Sequence, residues 1–554
     1  MGTIDQLEMS HRADGSLAPP SGLNRKQRRA LAAAAAAGGG TTSAPAGESA
    51  AKRRKLDDPA RAAAFWRTHE IALRGSGAES FAPVEALDDA PLPAAVIAVM
   101  KIDMGFTVTT PIQAAAWPIA CSGRDVVAVA RTGSGKTLAF LLPALERIRA
   151  IIDGGGVRKV ASGPYTNAAQ PLGLVVAPTR ELAVQIHEEA VRFAAAFSPP
   201  LTTACIYGGV GKKLQIAKLR FTPPTLVVAT PGRLGDLMSM RVLTLQRVRV
   251  FVLDEADRLL DMGFQKEIIG MAEAMGRGKA DAADDVLRQT LFFTATWPKS
   301  VERTANLLLR HEGEEGSTIH IHVGNSEGGN LVANESVTQI IQVVAQAEKA
   351  ATLGAVLSTF PARSKVIVFT RTKRGCARIA DAMWREGYAC DALHGDREQW
   401  ERADVMAKFK NPLPSPTDDA AGADGAGSAA GGDAPHPRTF NTATPPPGCV
   451  TLLFATDVAA RGLDVKDISH VINYDFPQSK GKVGIEEYVH RIGRTGRAGA
   501  TGVAITFFEP ETDYANAEKL IALLKEAKQV VPEELVEIQS NFKPKKKKKP
   551  KKKK

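Results

Sequence analysis

The sequence predicts an α/β protein of two tandem domains, each a mainly parallel sheet with helices on both faces, flanked by disordered basic termini. Short, near-continuous apolar runs alternate with helical segments from about residue 80 to 345, and the same alternation restarts near 350. Strands buried on both faces have this composition, and helical crossovers between them make a sheet parallel. The first clear strand, 126–130, runs directly into Arg131-Thr132-Gly133-Ser134-Gly135-Lys136-Thr137 and then a helical pattern over 138–148. Strand, glycine loop and helix in that order make a phosphate cradle.

In chain order, residues 1–63 are rich in Ala, Gly, Ser and charge with little periodicity, and read as a disordered extension. Within it, Lys52-Arg53-Arg54-Lys55 has the form of a short nuclear-import signal, with a solvated charge run as the alternative. The first domain, 64–345, places strands at 126–130, 173–177, 203–207, 226–230, 248–253 and 290–294. The second, 346–530, places them at 365–370, 388–393, 451–455, 470–474 and 502–508. Residues 411–449 interrupt it with Pro, Gly, Ala and Asp and read as a disordered insertion; 153–170 is a smaller version. Lengthening a loop from about five to about forty residues costs only ~2 kcal/mol of closure entropy, so a fold tolerates it. Residues 531–554 form a Lys-rich tail.

Composition bounds the function classes. With 554 residues, 44% apolar and 24% charged, the chain has room for two or more globular cores. Ten lysines lie in 543–554, so of the net charge of +11 only 11 − 10 = +1 belongs to the rest. A basic tail on a near-neutral body suits a polyanion tether or a nucleolar address. The five cysteines are scattered with no CxxC pair, so neither zinc nor a disulfide framework is expected and a reducing compartment fits. The first residues are polar and acidic, unlike a signal peptide, and the apolar stretch 31–37 is too short to span a bilayer. A soluble intracellular protein with no membrane partner is expected.

The chemistry is concentrated in two segments. In the loop, Gly133 and Gly135 let backbone N–H groups turn toward phosphate oxygens, Lys136 adds a point charge and Thr137 offers a hydroxyl to Mg²⁺. Asp254-Glu255-Ala256-Asp257 closes another apolar strand, placing carboxylates at the C-terminal tip where α/β sheets bind ligands. The ordered pair points to hydrolysis of a nucleoside triphosphate.

Further motifs recur in order. They are Gly105-Phe106 with Thr110-Pro111-Ile112-Gln113, Pro178-Thr179-Arg180-Glu181-Leu182-Ala183, Gly208-Gly209, Thr230-Pro231-Gly232-Arg233 and Thr294-Ala295-Thr296. The second domain holds Val368-Phe369, His394-Gly395-Asp396, Gln399, Arg402 and a stretch from Ala455-Thr456-Asp457 to Gly462-Leu463-Asp464. It closes with Tyr488-Val489-His490-Arg491-Ile492-Gly493-Arg494-Thr495-Gly496-Arg497. Over roughly residues 80 to 510 this set resembles the DEAD-box RNA helicases.

The resemblance implies two RecA-like domains and an RNA-stimulated ATPase that separates RNA duplexes locally, with ATP and Mg²⁺ as cofactors. Gln113 would read the adenine edge, as its amide can donate and accept at once. Phe81, or a different aromatic, would stack on the base. Thr132, Gly133, Ser134, Gly135, Lys136 and Thr137 would cradle the phosphates, and Asp464 would contact the ribose. Thr137 and Asp254 would hold the metal and Glu255 would act as base. Lys136, His490, Arg494 and Arg497 would complete the catalytic set, the last two as arginine fingers.

RNA would be held at Thr179, Arg180, Gly209, Thr230, Arg233, Arg371, Gly395, Arg402 and Thr456. These residue types suit phosphate and 2′-OH groups rather than base edges, so sequence-independent binding is expected. Thr294 and Thr296 would couple the two sites. Trp117-Pro118 and Trp297-Pro298 resemble the branch acting in ribosomal RNA processing. With the import-like patch and lysine tail, they point to nucleus and nucleolus, pre-rRNA, pre-ribosomal particles or protein cofactors as partners, and a monomer. An ATP-gated RNA clamp, a helicase of mRNA metabolism and a DNA-directed P-loop motor are the alternatives.

Overall fold

Val126–Val129 (VVAV) and Val250–Leu253 (VFVL) are buried at every position, and they lie in the interior of an eight-stranded sheet. In the computed structural model the described residues are 59–155, 168–276, 287–310, 317–324, 336–361, 364–410, 451–457, 465, 467–477, 484–496 and 500–541. The 1–57 extension with its import-like patch, the insertion 411–449 and the lysine run 543–554 lie outside them. Among the described residues no helix is long and apolar enough to cross a membrane.

The first sheet is built from β1 (Ile71–Arg74), β2 (Val126–Val129), β3 (Gly173–Val176), β4 (Thr203–Ile206), β5 (Leu226–Ala229), β6 (Val250–Leu253), β7 (Gln289–Thr294) and β8 (Ile319–Val323). Their spatial order is β1-β8-β2-β7-β6-β3-β5-β4, parallel throughout except for the β1–β8 pair. The second sheet comprises β9 (Val337–Val343), β10 (Lys365–Phe369), β11 (Ala389–Leu393), β12 (Thr451–Ala455), β13 (Ile468–Asn473) and β14 (Gly502–Phe508). Its order is β11-β12-β10-β13-β14-β9, all parallel.

Helices cover both faces of the second sheet, and alternation along β10 shows it. Ile367 and Phe369 pack with Phe409, Leu520 and Tyr488, while Val366 and Val368 pack with Cys376, Met383 and Leu357 on the other side. Leu535, from the helix Glu533–Asn541, belongs to the first of these clusters. Residues up to 541 therefore pack with the second domain, ahead of the lysine run. At the other end, the helix Pro59–Thr68 starts within the segment expected to be disordered. The expected boundary at 345 falls after β9, a strand that pairs with β14 of the second sheet.

Lys349 is fully buried beneath the second sheet, where its Nζ bonds Asp475 Oδ1 at 3.1 Å and Glu509 Oε2 at 3.2 Å. Removing one partner from a buried charge cluster strands the others in low dielectric. Lys349→Met is expected to destabilise the second domain by about 3–5 kcal/mol, read as a lower denaturation midpoint.

Candidate functional site

The glycine loop follows β2 and ends at the helix Lys136–Asp153. Gly135 caps that helix at φ 94°, and Gly133 sits at φ 77°, both in the left-handed region open to glycine. A Cβ at Gly135 would come within 2.8 Å of both Gln113 Nε2 and Thr110 Oγ1, so no side chain fits there. Gln113 is buried: its Oε1 accepts from Thr110 N at 3.1 Å and its Nε2 donates to Gly135 O at 3.2 Å. The helix Pro111–Cys121 thus fixes the adenine-reading candidate against the loop. Val84 N donates to Ala114 O at 3.0 Å, which lays the segment after half-buried Phe81 along that same helix.

Lys136 Nζ donates to Ala130 O at 2.6 Å and Arg131 O at 3.1 Å. Burial pushes its ammonium below the usual value; Asp254, Glu255 and Asp257 oppose this, and Arg494 adds to it. Ser134 Oγ is buried with no hydrogen-bond partner among the described residues. Half-buried Thr132 and Thr137 flank it in the loop and the first helical turn.

Opposite the loop, β6 delivers Asp254 and Glu255. Glu255 lies at φ 47°, ψ 50°, a left-handed conformation costing a non-glycine residue about 1–3 kcal/mol. Its N–H donates to Asp254 Oδ1 at 2.9 Å, which helps hold the turn. Burial, then the neighbouring Glu255 charge, pushes the Asp254 carboxyl up to about 7. A buried carboxylate pair that favours added positive charge, an orphaned hydroxyl and a lysine drawn onto loop carbonyls fit a triphosphate with its divalent cation.

Asp257 begins a second network. Its Oδ2 accepts from Thr296 N at 3.0 Å and Thr296 Oγ1 at 2.8 Å, and its Oδ1 accepts from Arg258 N at 2.9 Å. Asp257 N in turn donates to Thr294 Oγ1 at 3.3 Å, and Thr294 Oγ1 donates to Thr296 O at 2.9 Å. Burial alone would raise the Asp257 carboxyl, but His490, Arg258 and Thr296 outweigh it and hold it below the usual carboxylate range. Thr294 and Thr296, expected to couple two sites, are thus bonded to the acidic motif.

Groups from the second domain reach this place. The helix Ile485–Ile492 carries His490, expected among the catalytic groups, whose Nε2 lies 3.6 Å from Asp257 Oδ2. It therefore faces the coupling network. A Cβ at Gly493 would approach Thr132 Oγ1 to 2.5 Å, so the backbone after this helix lies against the glycine loop. Buried Arg494 follows, close enough to act on Lys136. Arg497 and Asp464 lie outside the described residues. Arg258 pairs with Glu487, a contact that sequence reasoning missed. The three-residue spacing of Glu487 and His490 on one helix face was its available signal.

The remaining expected residues occupy the other half of each sheet's C-terminal edge. In the first sheet β2, β7 and β6 are adjacent and carry the loop, Thr294 and Asp254; β3, β5 and β4 come next. Thr179 and Arg180 follow β3, Gly209 follows β4, and Thr230 and Arg233 follow β5. In the second sheet β11, β12 and β10 are likewise adjacent, and Gly395, Thr456 and Arg371 follow them in turn. Gly209, Arg371 and Gly395 are exposed and Arg180 is half-buried. Thr179 accepts from Leu182 N at 3.3 Å as a helix cap, and Thr230 and Thr456 are buried.

Three guanidinium groups expected on RNA are engaged with protein, Arg371 among them with Nη2 3.5 Å from Asp513 Oδ1. Arg233 donates to Val210 O at 3.1 Å and to Gln215 Oε1 at 3.1 Å, bracing the turn that holds Gly209. Arg402 Nη2 lies 2.6 Å from Glu181 Oε1 of the first domain. Trp117 and Trp297 also have packing roles. Trp117 is buried, with Nε1 donating to Leu138 O at 3.1 Å, and Trp297 packs edge-on against Phe292.

The DEAD/DEAH box helicase family matches residues 110–304, and the helicase conserved C-terminal domain matches 348–415 and 438–499. DEAD-box ATP-dependent RNA helicase 14 of Arabidopsis thaliana is 40% identical over 86% of this chain and 64% of its own length. DEAD-box ATP-dependent RNA helicase 20 of the same plant is 38% identical over 85% of this chain and 79% of its own length. The chain spans 51% to 64% of the length of several such relatives. The solved structure of the DEAD-box helicase Mss116 bound to ssRNA and UDP-BeF aligns with TM-score 0.61 at 23% identity, covering 82% of each chain, which establishes the shared two-domain RecA-like fold.

Proposed function

This chain belongs to the DEAD-box ATP-dependent RNA helicase family, and from that premise we propose that it hydrolyses ATP when closed on RNA and separates short duplexes locally. The observation that carries the proposal is the seating of the helix Ile485–Ile492 and its exit on the first domain, with His490 Nε2 3.6 Å from Asp257 Oδ2 and Gly493 packed against Thr132 of the glycine loop. Hydrolysis then reports closure, because neither domain holds the full set.

The work of the described residues follows from their place, and that of Asp464 and Arg497 from the family resemblance. Gln113, fixed against the loop, presents its amide edge to adenine, and Asp464 takes the ribose. Backbone N–H groups of 132–137 bind phosphate oxygens, and the Lys136 ammonium leaves the Ala130 and Arg131 carbonyls to join them. Asp254 and Thr137 would hold a divalent cation, which would supply neutralisation of phosphate charge. Glu255, on its left-handed turn, orients and deprotonates the attacking water. Arg494 and Arg497 stabilise charge developing on the γ-phosphate.

RNA lies along the far half of both sheet edges, where exposed Gly209, Arg371 and Gly395 and half-buried Arg180 offer N–H groups and cations to the backbone. Because each ligand touches both domains, each raises the other's affinity. Closure bends one strand out of duplex geometry, and phosphate release reopens the cleft. The test is ATPase stimulation by RNA against DNA, together with release of a short labelled duplex. No stimulation by RNA, or an equal response to DNA, would overturn the proposal.

Thr294 and Thr296 tie Asp257 to the strand end beside the loop. Replacing both with alanine is expected to leave RNA-stimulated ATPase within about threefold while duplex release falls about tenfold or more. Equal loss of both activities would refute the coupling role.

Within the family, the import-like patch and the lysine run support nuclear and nucleolar work on pre-rRNA as a monomer. Since Trp117 and Trp297 have packing duties, the basic segments carry that reading. Crosslinking the protein to RNA in cells and sequencing the adducts tests it: an excess of mRNA over pre-rRNA would favour the alternative.

A further inference from the structure

We infer that Arg258 and Glu487 form a positioning pair, an ion pair between the domains that seats the helix Ile485–Ile492 so that Arg494 arrives at the glycine loop in register. This rests on the ATPase reading above and assigns work to two residues that touch neither nucleotide nor RNA.

The helix has an anchored side and a presented side. Arg491 is buried in its own domain, with Nε and Nη2 on Asp457 at 2.5 and 2.7 Å and Nη1 on Asp475 O at 2.6 Å. That anchor leaves Glu487 and His490, three apart, facing the first domain, with Gly493 and Arg494 one turn later. Along the helix and its exit, the first-domain neighbours are Arg258, Asp257 and Thr132. Arg258 directly follows Asp257, so a single turn of the first domain receives both Glu487 and His490.

The energetics separate positioning from simple adhesion. In the closed form the Arg258 side chain is 3% exposed and that of Glu487 15%. For such a pair, loss of hydration cancels most of the mutual attraction, so it adds little net drive to closure. A closure that left either charge buried and unpaired would be penalised heavily. The pair therefore selects one register among closed arrangements. Its loss should fall on kcat, while first-domain contacts to nucleotide keep KM.

The experiment is a double-mutant cycle in the full chain with Glu487→Gln, Arg258→Met and both together. It measures RNA-stimulated kcat, KM for ATP and thermal melting. Closure is followed by energy transfer between dyes at Phe221→Cys and Trp384→Cys, both exposed positions, on adding RNA and ADP-beryllium fluoride. Each single change is expected to lower kcat about tenfold or more, with KM within about twofold and melting near wild type. The double change should cost no more than the worse single, because the two act as a unit.

Multiplying single effects, or wild-type kcat in Glu487→Gln, would overturn the pair. A parallel fall in melting and KM would also overturn it, since that marks general damage. If the parent chain closed on RNA without hydrolysing ATP, the ATPase reading would fail separately. The pair would then be judged by the energy-transfer distance alone, which should shift in the single variants and stay unchanged if the inference is wrong.

Discussion

Arg494→Ala is expected to lower RNA-stimulated ATP hydrolysis by about 10³-fold, the low end of what a transition-state arginine supplies in phosphoryl transfer. Arg494 is buried, it comes from the second domain, and the residue before it, Gly493, packs against Thr132 of the glycine loop. A guanidinium there, delivered when the domains close, stabilises charge as it redistributes in the transition state, so the loss is expected on kcat. Nucleotide affinity in the absence of RNA should stay within about threefold, because Gln113, the loop and Lys136 all lie in the first domain. Single-turnover kinetics with a separate binding titration check both halves. A comparable loss of affinity without RNA would show that Arg494 is a binding group.

Glu255→Gln is expected to abolish turnover to a similar extent while preserving closure on RNA. Glutamine keeps the shape and can still orient water, but it cannot accept a proton. The backbone is already committed: Glu255 stands at φ 47°, and its N–H is held by Asp254 Oδ1 at 2.9 Å. Neither feature depends on the carboxylate, so the variant should fold as the parent does. It should accumulate as a stable complex with RNA and ATP, visible as slow RNA release. Turnover within tenfold of wild type would remove Glu255 from the base role.

Much of this was legible in the sequence because buried parallel strands announce themselves. VVAV at 126–129 and VFVL at 250–253 have no polar face to hide, so position and type were clear. The edges were harder to see. β8 (IHIHV) and β9 (VTQIIQV) alternate, since one face of each is less buried, and β1 (IALR) is fully buried only at Ile71. β9 follows the first domain's last helix in the chain, yet its hydrogen bonds go to β14, more than 150 residues on. Local pattern carries no information about such pairings.

The site divides the same way. Gly133, Gly135, Lys136, Asp254 and Glu255 were visible because their chemistry dictates their spacing. Arg233 and Arg402 resembled RNA contacts by type and place, but the structure engages their guanidinium groups with Val210, Gln215 and Glu181. An arginine's partner is set by what folds beside it, and all three of those partners are distant in sequence. Asp257 and Arg258 stood beside recognised residues, and only the docked helix shows what they touch.

The central claim is that one catalytic site is assembled from both domains, and photolabelling from the γ-phosphate tests it most directly. An ATP analogue carrying a photoreactive group there, bound with RNA and Mg²⁺, should label a peptide containing residues 130–137 and a second containing 485–497. Labelling confined to the first domain with RNA present would contradict the account.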